Sequence, residues 1–407
     1  MTTPVSQLAK LKPNPNWAKL PLFNRKNWSR VRFDDVVENL NETCDPAEAG
    51  LERVIAMEHL EPGSLHIRAW GNVADGTTFT RRCRPGQLLF GKRRAYQRKV
   101  AVAEFDAVVS GDIYVLAPKG ERLLPELLPF LCLSERFFQH AVGTSAGSLS
   151  PRTNWSSLAS FEFDLPPLDQ QRRIAEILWA VDESLQQAIA LAKSVENAKS
   201  ATVEEHFNRS LENKLNVQPL EAVAKVSYGI TLGGYRKTLQ IERPYLRVAN
   251  VQRNAFDLSE VKTINCAENE IGRFELADGD VLIVEGHASV TEIGRAAVWR
   301  SAESGTLHQN HLIRARCSEP LIPEYLNLCI NGGVGREYFR SRAKSSSGLN
   351  TINSTVVKEF PVPKTPVRTQ ETLIAEISKF DASLSSIEVN QGSLRNLVQT
   401  ILNTIFA

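Results

Sequence analysis

The residues best suited to chemistry in this sequence are cations packed closely together. Arg81, Arg82, Arg84, Lys92, Arg93, Arg94, Arg98 and Lys99 fall between positions 81 and 99, with no acid among them. Within that span KRRAYQRK (92–99) sets Tyr96 among five of the charges. Such a group neutralises phosphates, and arginine also pairs two-pronged with the edge of guanine. The same stretch comes within one residue of the phosphate-cradling loop G-x-x-x-x-G-K-[ST], because Gly86, Gly91 and Lys92 stand in register. Arg93 occupies the place of the Mg2+-binding hydroxyl, however, and the residues between the glycines read as a strand. A nucleotide site is therefore not expected there.

Other catalytic arrangements fail on residue type. Asp280 and Glu285 flank a strand as nuclease carboxylates do, yet His287 stands beyond them where a lysine belongs. His308 and His311 are three apart, with Cys317 the nearest further ligand, and they do not complete a zinc set. Ser145, Ser148 and Ser150 lack the G-x-S-x-G setting of a nucleophile. Neither NPNW (14–17) nor DLPPL (164–168) has the aromatic after two prolines that a base methyltransferase requires. No metal site and no catalytic group is expected.

These side chains sit in a chain of 407 residues with a net charge of +2, so only the distribution of charge points to a polyanion. A second acid-free stretch, residues 1–33, adds Lys10, Lys12, Lys19, Arg25, Lys26, Arg30 and Arg32. The bland alternative is that both runs are solvated faces. The six cysteines are scattered without a C-x-x-C pair, as expected of free thiols in a reducing compartment. No apolar run reaches the roughly 20 residues that span a bilayer, and the start of the chain lacks a leader's apolar core, so a cytoplasmic protein is expected.

The elements that position these groups occur twice, at a period of about 200 residues. PGQLLF (85–90) parallels DGDVLI (278–283), LPELL (124–128) parallels IPEYL (322–326), and SAGSLS (145–150) parallels SSSGLN (345–350). The tetrapeptide IAEI stands at 174–177 and again at 374–377. After Pro166-Pro167 and after Pro366, apolar residues settle into alternating steps of four and three. The first stripe is Ile174, Leu178, Val181, Leu185, Ala188, Ala192 and Val195; the second starts Leu373, Ile377, Phe380, Leu384. This is the seam of a coiled coil. Since one helix leads from the first mixed domain to the second and the other leads back, antiparallel pairing is expected. The fold class is α+β: a first mixed domain over 1–165, a long helix over 166–212, a second mixed domain over 213–364 and a second long helix over 365–407.

The stretches SAGSLSPRTNWSSLASFEFDLPPLDQQRRIAEILWAVD (145–182) and FGKRRAYQRKVAV (90–102) resemble the specificity subunit of type I restriction–modification systems. The resemblance runs over essentially the whole chain, though Thr372-Leu373 replaces the Arg-Ile pair in the second copy. It implies a non-catalytic reader of double-stranded DNA in which each domain recognises one half of a split target. The helices would fix the distance between halves and dock two methyltransferase subunits, and restriction subunits would join. S-adenosylmethionine, ATP and Mg2+ would belong to those partners, with no cofactor on this chain. DNA contacts are expected from Arg81, Arg82, Lys92, Arg93, Arg94, Tyr96, Arg98, Lys99 and Arg152 in the first domain. In the second they are expected from Tyr235, Arg236, Lys237, His287, Arg295, His308, Asn310, His311 and Lys344. Partner docking falls to Gln171, Arg172, Ile174, Leu178, Gln370, Ile374 and Ile377. Trp155 reads as a core anchor. A protein–protein scaffold with solvated basic loops is the alternative.

Overall fold

The computed structural model describes residues 24–212, 216–300, 305–346 and 348–406. Lys10, Lys12, Lys19 and the NPNW string lie outside them. The chain divides into two compact units, one formed by residues before Leu191 with those after Ile387, the other by Leu191–Ile387. The division falls inside both long helices rather than at their ends.

Each unit is built on a four-stranded antiparallel sheet. In the first unit the strands are β1 (Val37–Leu40), β2 (Leu88–Gly91), β3 (Val100–Val102) and β4 (Ile113–Pro118), in the order β1-β4-β2-β3. In the second they are β5 (Ala224–Tyr228), β6 (Val281–Val284), β7 (Ala296–Val298) and β8 (Leu312–Cys317), in the order β5-β8-β6-β7. β2 and β6 are buried throughout, which explains their continuous apolar sequences. A second sheet in each unit includes one parallel pair, Arg53–Ile55 with Ala107–Val109 and Ile241–Leu246 with Leu307–His308.

Two short helices cover the central sheet of each unit: α1 (Leu128–Leu133) and α2 (Glu135–Gly143) in the first. The long helix α3 follows at Leu168–Glu212. In the second unit the covering pair is α4 (Pro323–Asn331) and α5 (Gly333–Arg342), followed by the long α6 (Val367–Ile405). At 1.5 Å per residue the long helices measure roughly 68 and 58 Å.

The apolar stripes supply the cores. Ile174, Leu178 and Trp179 from the start of α3 share the first unit's core with Ile401, Leu402 and Ile405 from the end of α6. Val203 and Phe207 from the end of α3 share the second unit's core with Leu373 and Ile377 from the start of α6. Lys199 and Asp381 form an ion pair between the helices there. Trp179 Nε1 also donates to the Glu126 carbonyl at 2.9 Å. Four of the six free cysteines are buried.

Candidate nucleic-acid interface

The two glycines of the near-miss motif have strand geometry to serve. Gly86 adopts φ +86° in the turn that enters β2. At Gly91 a Cβ would lie 2.8 Å from Met57 Cε and 3.2 Å from Lys99 Cβ, so a larger residue at the end of β2 would have to displace the tip of the Met57 side chain. Beyond Gly91 the backbone is tied on both sides. Lys92 N donates to Asp112 O at 2.9 Å, Thr153 N to Lys92 O at 3.0 Å, and Arg94 N to Pro151 O at 2.7 Å. Arg94 and Arg98 hold φ of +53° and +54°, which costs an L-residue roughly 1–2 kcal/mol each. Arginine at two positions where glycine would be unstrained points to a use for the side chains or the turn they enforce.

The cations gather around one carboxylate. Asp112 accepts from Arg152 Nε at 2.7 Å and Nη2 at 3.3 Å, and from Arg93 Nη1 at 3.4 Å. Arg93 Nε donates to Ser150 Oγ at 2.6 Å. Lys92 Nζ lies 4.9 Å above the Tyr114 ring, and Arg81 Nη1 donates to Ile113 O at 2.9 Å. Hydrogen bonding from Arg152 holds the Asp112 carboxyl below the usual range. Burial first, and then nearby Arg81, lowers the Lys92 ammonium pKa. Arg152 is half exposed and Tyr96 is 56% exposed, so the cluster faces solvent with an excess of positive charge.

The other expected contacts of this unit serve the fold. Arg82 pairs with Asp106 at 3.0 Å and with Glu42 at 3.6 Å. Arg98 pairs with Glu135 and stacks on Phe138, and Lys99 Nζ donates to Met57 O at 2.6 Å. Trp155 is half-buried, 6.1 Å from Phe33 and 6.0 Å from Tyr114.

The second unit repeats the frame with other side chains. Glu285 N donates to His311 O at 3.0 Å and Ile352 N to Glu285 O at 2.9 Å, matching the Lys92 bonds. Asn154 and Asn353 cap equivalent helical turns, accepting from Ser157 N and Val356 N. Glu285 Oε2 and exposed His311 Nδ1 are 2.7 Å apart. The hairpin Lys344–Ser346 with Leu349–Thr351 adds a strand pairing to Gly286–His287, bringing Lys344, His287 and Asn350 to one small sheet. Tyr235 and Lys237 are exposed, and Asn310 is half-buried beside His311.

Three residues expected at this surface are inside instead. Arg236 is buried, bonded twice to Glu270 at 3.0 Å and to the carbonyls of Thr231 and Asn265. Arg295 is buried against Val251 O, Val248 O and Glu292. His308 is fully buried; its Nδ1 meets the Phe274 carbonyl at 2.8 Å, and burial pushes its pKa down to about 4. A buried, committed donor does not reach a base edge. Asp280 is likewise buried and held by Arg316 at 2.6 and 2.7 Å. Among the described residues no group of three or more His, Cys, Asp or Glu side chains is placed to hold a metal ion.

The residues expected to dock partners include two internal clamps. Gln171 donates to Arg122 O and Pro166 O, both at 2.8 Å, and accepts from Leu124 N at 2.9 Å. Gln370 donates to Pro320 O at 3.0 Å and Thr365 O at 2.8 Å, and accepts from Ile322 N at 2.9 Å. They are 1% and 2% exposed. Ile174, Leu178 and Ile377 are buried in their cores, so these positions fasten each helix to its own unit. Arg172 is exposed and Ile374 half-buried, and only they retain surface for a partner. The clamps also fix the repeat register: Gln171 matches Gln370, so buried Ile174 matches buried Leu373, and the shared IAEI string is one residue out of step.

Sequence reasoning missed Asp112, which aims two arginines, and the Glu285–His311 pair. The doubled SAGSLS and SSSGLN strings were the available signal, since both lie in the hairpins that close the sites.

Residues 26–194, which contain the cationic cluster and the first clamp, match the model of the type I restriction modification DNA specificity domain. The EcoKI specificity subunit of Escherichia coli K12, a type I restriction enzyme component, is 26% identical over 308 residues, covering 70% of this chain and 66% of that one. The chain is thus similar to the specificity subunits of type I restriction enzymes. A second such subunit, from the StySPI enzyme of Salmonella potsdam, is 22% identical over 388 residues, covering 86% of this chain and 83% of its own. The fold is likewise that of a solved chain from work on complex assembly and conformational transition of the type I R-M system. The TM-score is 0.61 at 16% identity, covering 94% of this chain and 98% of that one. Among the described residues, no helix is long and apolar enough to cross a membrane.

Proposed function

We propose that this chain is the DNA-reading subunit of a type I restriction–modification complex, each unit recognising one half of a split target. The observation that carries this reading is the repeated frame. At the same place in each unit, the end of an interior strand and a short hairpin present exposed or half-buried polar side chains. In the first unit these are Lys92, Arg93, Arg94, Tyr96 and Arg152, with Arg81 behind them. In the second they are His287, Asn310, His311 and Lys344, while Tyr235 and Lys237 are exposed on the turn Gly234–Thr238. Phosphate contacts supply affinity, and side chains that reach base edges supply sequence. The long helices set the spacing of the half-sites and receive two methyltransferase subunits, with restriction subunits completing the assembly in the cytoplasm. Methylation and cleavage, with their S-adenosylmethionine, ATP and Mg2+, are the partners' chemistry.

Salt dependence tests the reading. The log affinity of the full chain for duplex DNA falls linearly with log salt, by roughly 0.9 per phosphate neutralised. Replacing Arg93 and Arg152 together by alanine weakens cognate binding at least tenfold. A salt-insensitive affinity, or a double variant within twofold of the parent, overturns the proposal.

A further inference from the structure

The shared hydrogen-bond frame places four pairs of residues in equivalent positions: Lys92 with Glu285, Arg93 with Gly286, Asp112 with His311, and Arg152 with Thr351. The polarity is inverted between units. Three cations around a carboxylate in the first become one carboxylate, one histidine and two uncharged residues in the second.

Arg152 has a particular arrangement of donors. Its Nε and Nη2 point at the two oxygens of Asp112, a side-on pairing that fixes the plane of the guanidinium. Of the five N–H donors, that pairing occupies two and leaves the end-on pair, one hydrogen on each Nη, directed away from Asp112. Two parallel donors on a half-exposed, pre-oriented fork match the O6 and N7 acceptors of guanine. In the second unit Thr351 is too short for this reach. Glu285, oriented by His311 at 2.7 Å, presents an acceptor where the first unit presents donors. A carboxylate repels the acceptor edge of guanine and accepts from the amino group of cytosine or adenine.

We propose that these four positions make the two units read different base edges. Arg152, aimed by Asp112 and flanked by Arg93, selects a guanine in one half-site. Glu285, which stands where Lys92 stands in the first unit and is aimed by His311, selects an amino-bearing base and rejects guanine in the other half-site. This rests on the DNA-reading function proposed above.

The test is selection of bound duplexes from a randomised library by the full-length chain, followed by sequencing. The parent is expected to enrich two short specified segments. Arg152→Ala lowers the preference for one guanine in one segment by roughly tenfold or more and leaves the other segment unchanged, which also reports an intact fold. Arg152→Lys does not restore the preference, because a point charge cannot replace the fork. Thr351→Arg combined with His311→Asp brings guanine into the second segment. A parent that enriches no motif overturns the DNA-reading function itself. A clear parental motif that Arg152→Ala leaves unchanged, or weakens evenly at every position, overturns the base assignment alone.

Discussion

Replacing Gln171 by leucine separates an internal clamp from a docking residue. Leucine keeps nearly the volume of glutamine, so packing changes little, and the loss is confined to three hydrogen bonds at the root of α3. The Leu124 N–H loses its partner in a part-buried site, at a cost of about 2 kcal/mol, while the Arg122 and Pro166 carbonyls lose about 0.5–1 kcal/mol each. The sum is about 3–4 kcal/mol, which for a unit of this size lowers its melting temperature by roughly 6–16 °C. Calorimetry of the full chain reads this as a downward shift of one unit's transition. The exposed Arg172→Ala change serves as the control, with an effect within about 0.5 kcal/mol. Should Gln171→Leu leave stability within 0.5 kcal/mol of the parent while abolishing methyltransferase binding, the clamp reasoning is refuted and the side chain faces a partner.

Two further substitutions probe the units, one in each. Burial pulls the His66 pKa down, but hydrogen bonds to Asp182 at 2.7 Å and Glu104 at 3.2 Å outweigh it and raise the pKa to about 9. The stabilisation this gives, about 3 kcal/mol, is fully present below pH 6.5 and is lost as pH rises through 9. Denaturant unfolding across that window is expected to show the decline in the parent and a flat profile in His66→Gln. In the second unit, Gly294 holds φ +73° with an added Cβ only 2.4 Å from Phe339, itself buried and stacked on Phe360 at 5.2 Å. Gly294→Ala is expected to cost 3 kcal/mol or more and to disrupt that unit's calorimetric transition, leaving the first unit's in place.

What the sequence showed and what it hid follow from the range of the forces involved. The stripes of α3 and α6 were legible because helical periodicity is written in consecutive residues, and the doubled hairpin strings betrayed the repeat. The KRRAYQRK cluster was visible as composition, yet composition separates neither Arg93 nor the distant Arg152, both held by Asp112, from Arg98, folded onto Glu135 and Phe138. Asp112 lies 40 residues from Arg152, and only the sheet register brings them together. Arg236, Arg295 and His308 looked like surface donors for the same reason. Their partners, Glu270, Val251 and Phe274, lie 34 to 44 residues away, where a local reading has no access. The Gln171 and Gln370 clamps were noticed as part of a motif, but their three backbone partners could not be seen in a one-dimensional pattern.

The central claim, that this chain directs a modification complex to a split DNA target, is tested most directly by mapping methylated positions across the genome of cells expressing it with its methyltransferase partner. The account predicts one new motif made of two specified segments separated by a gap of constant length, absent when the chain is omitted. Methylation unchanged by the presence of the chain, or a motif whose gap varies freely, contradicts it.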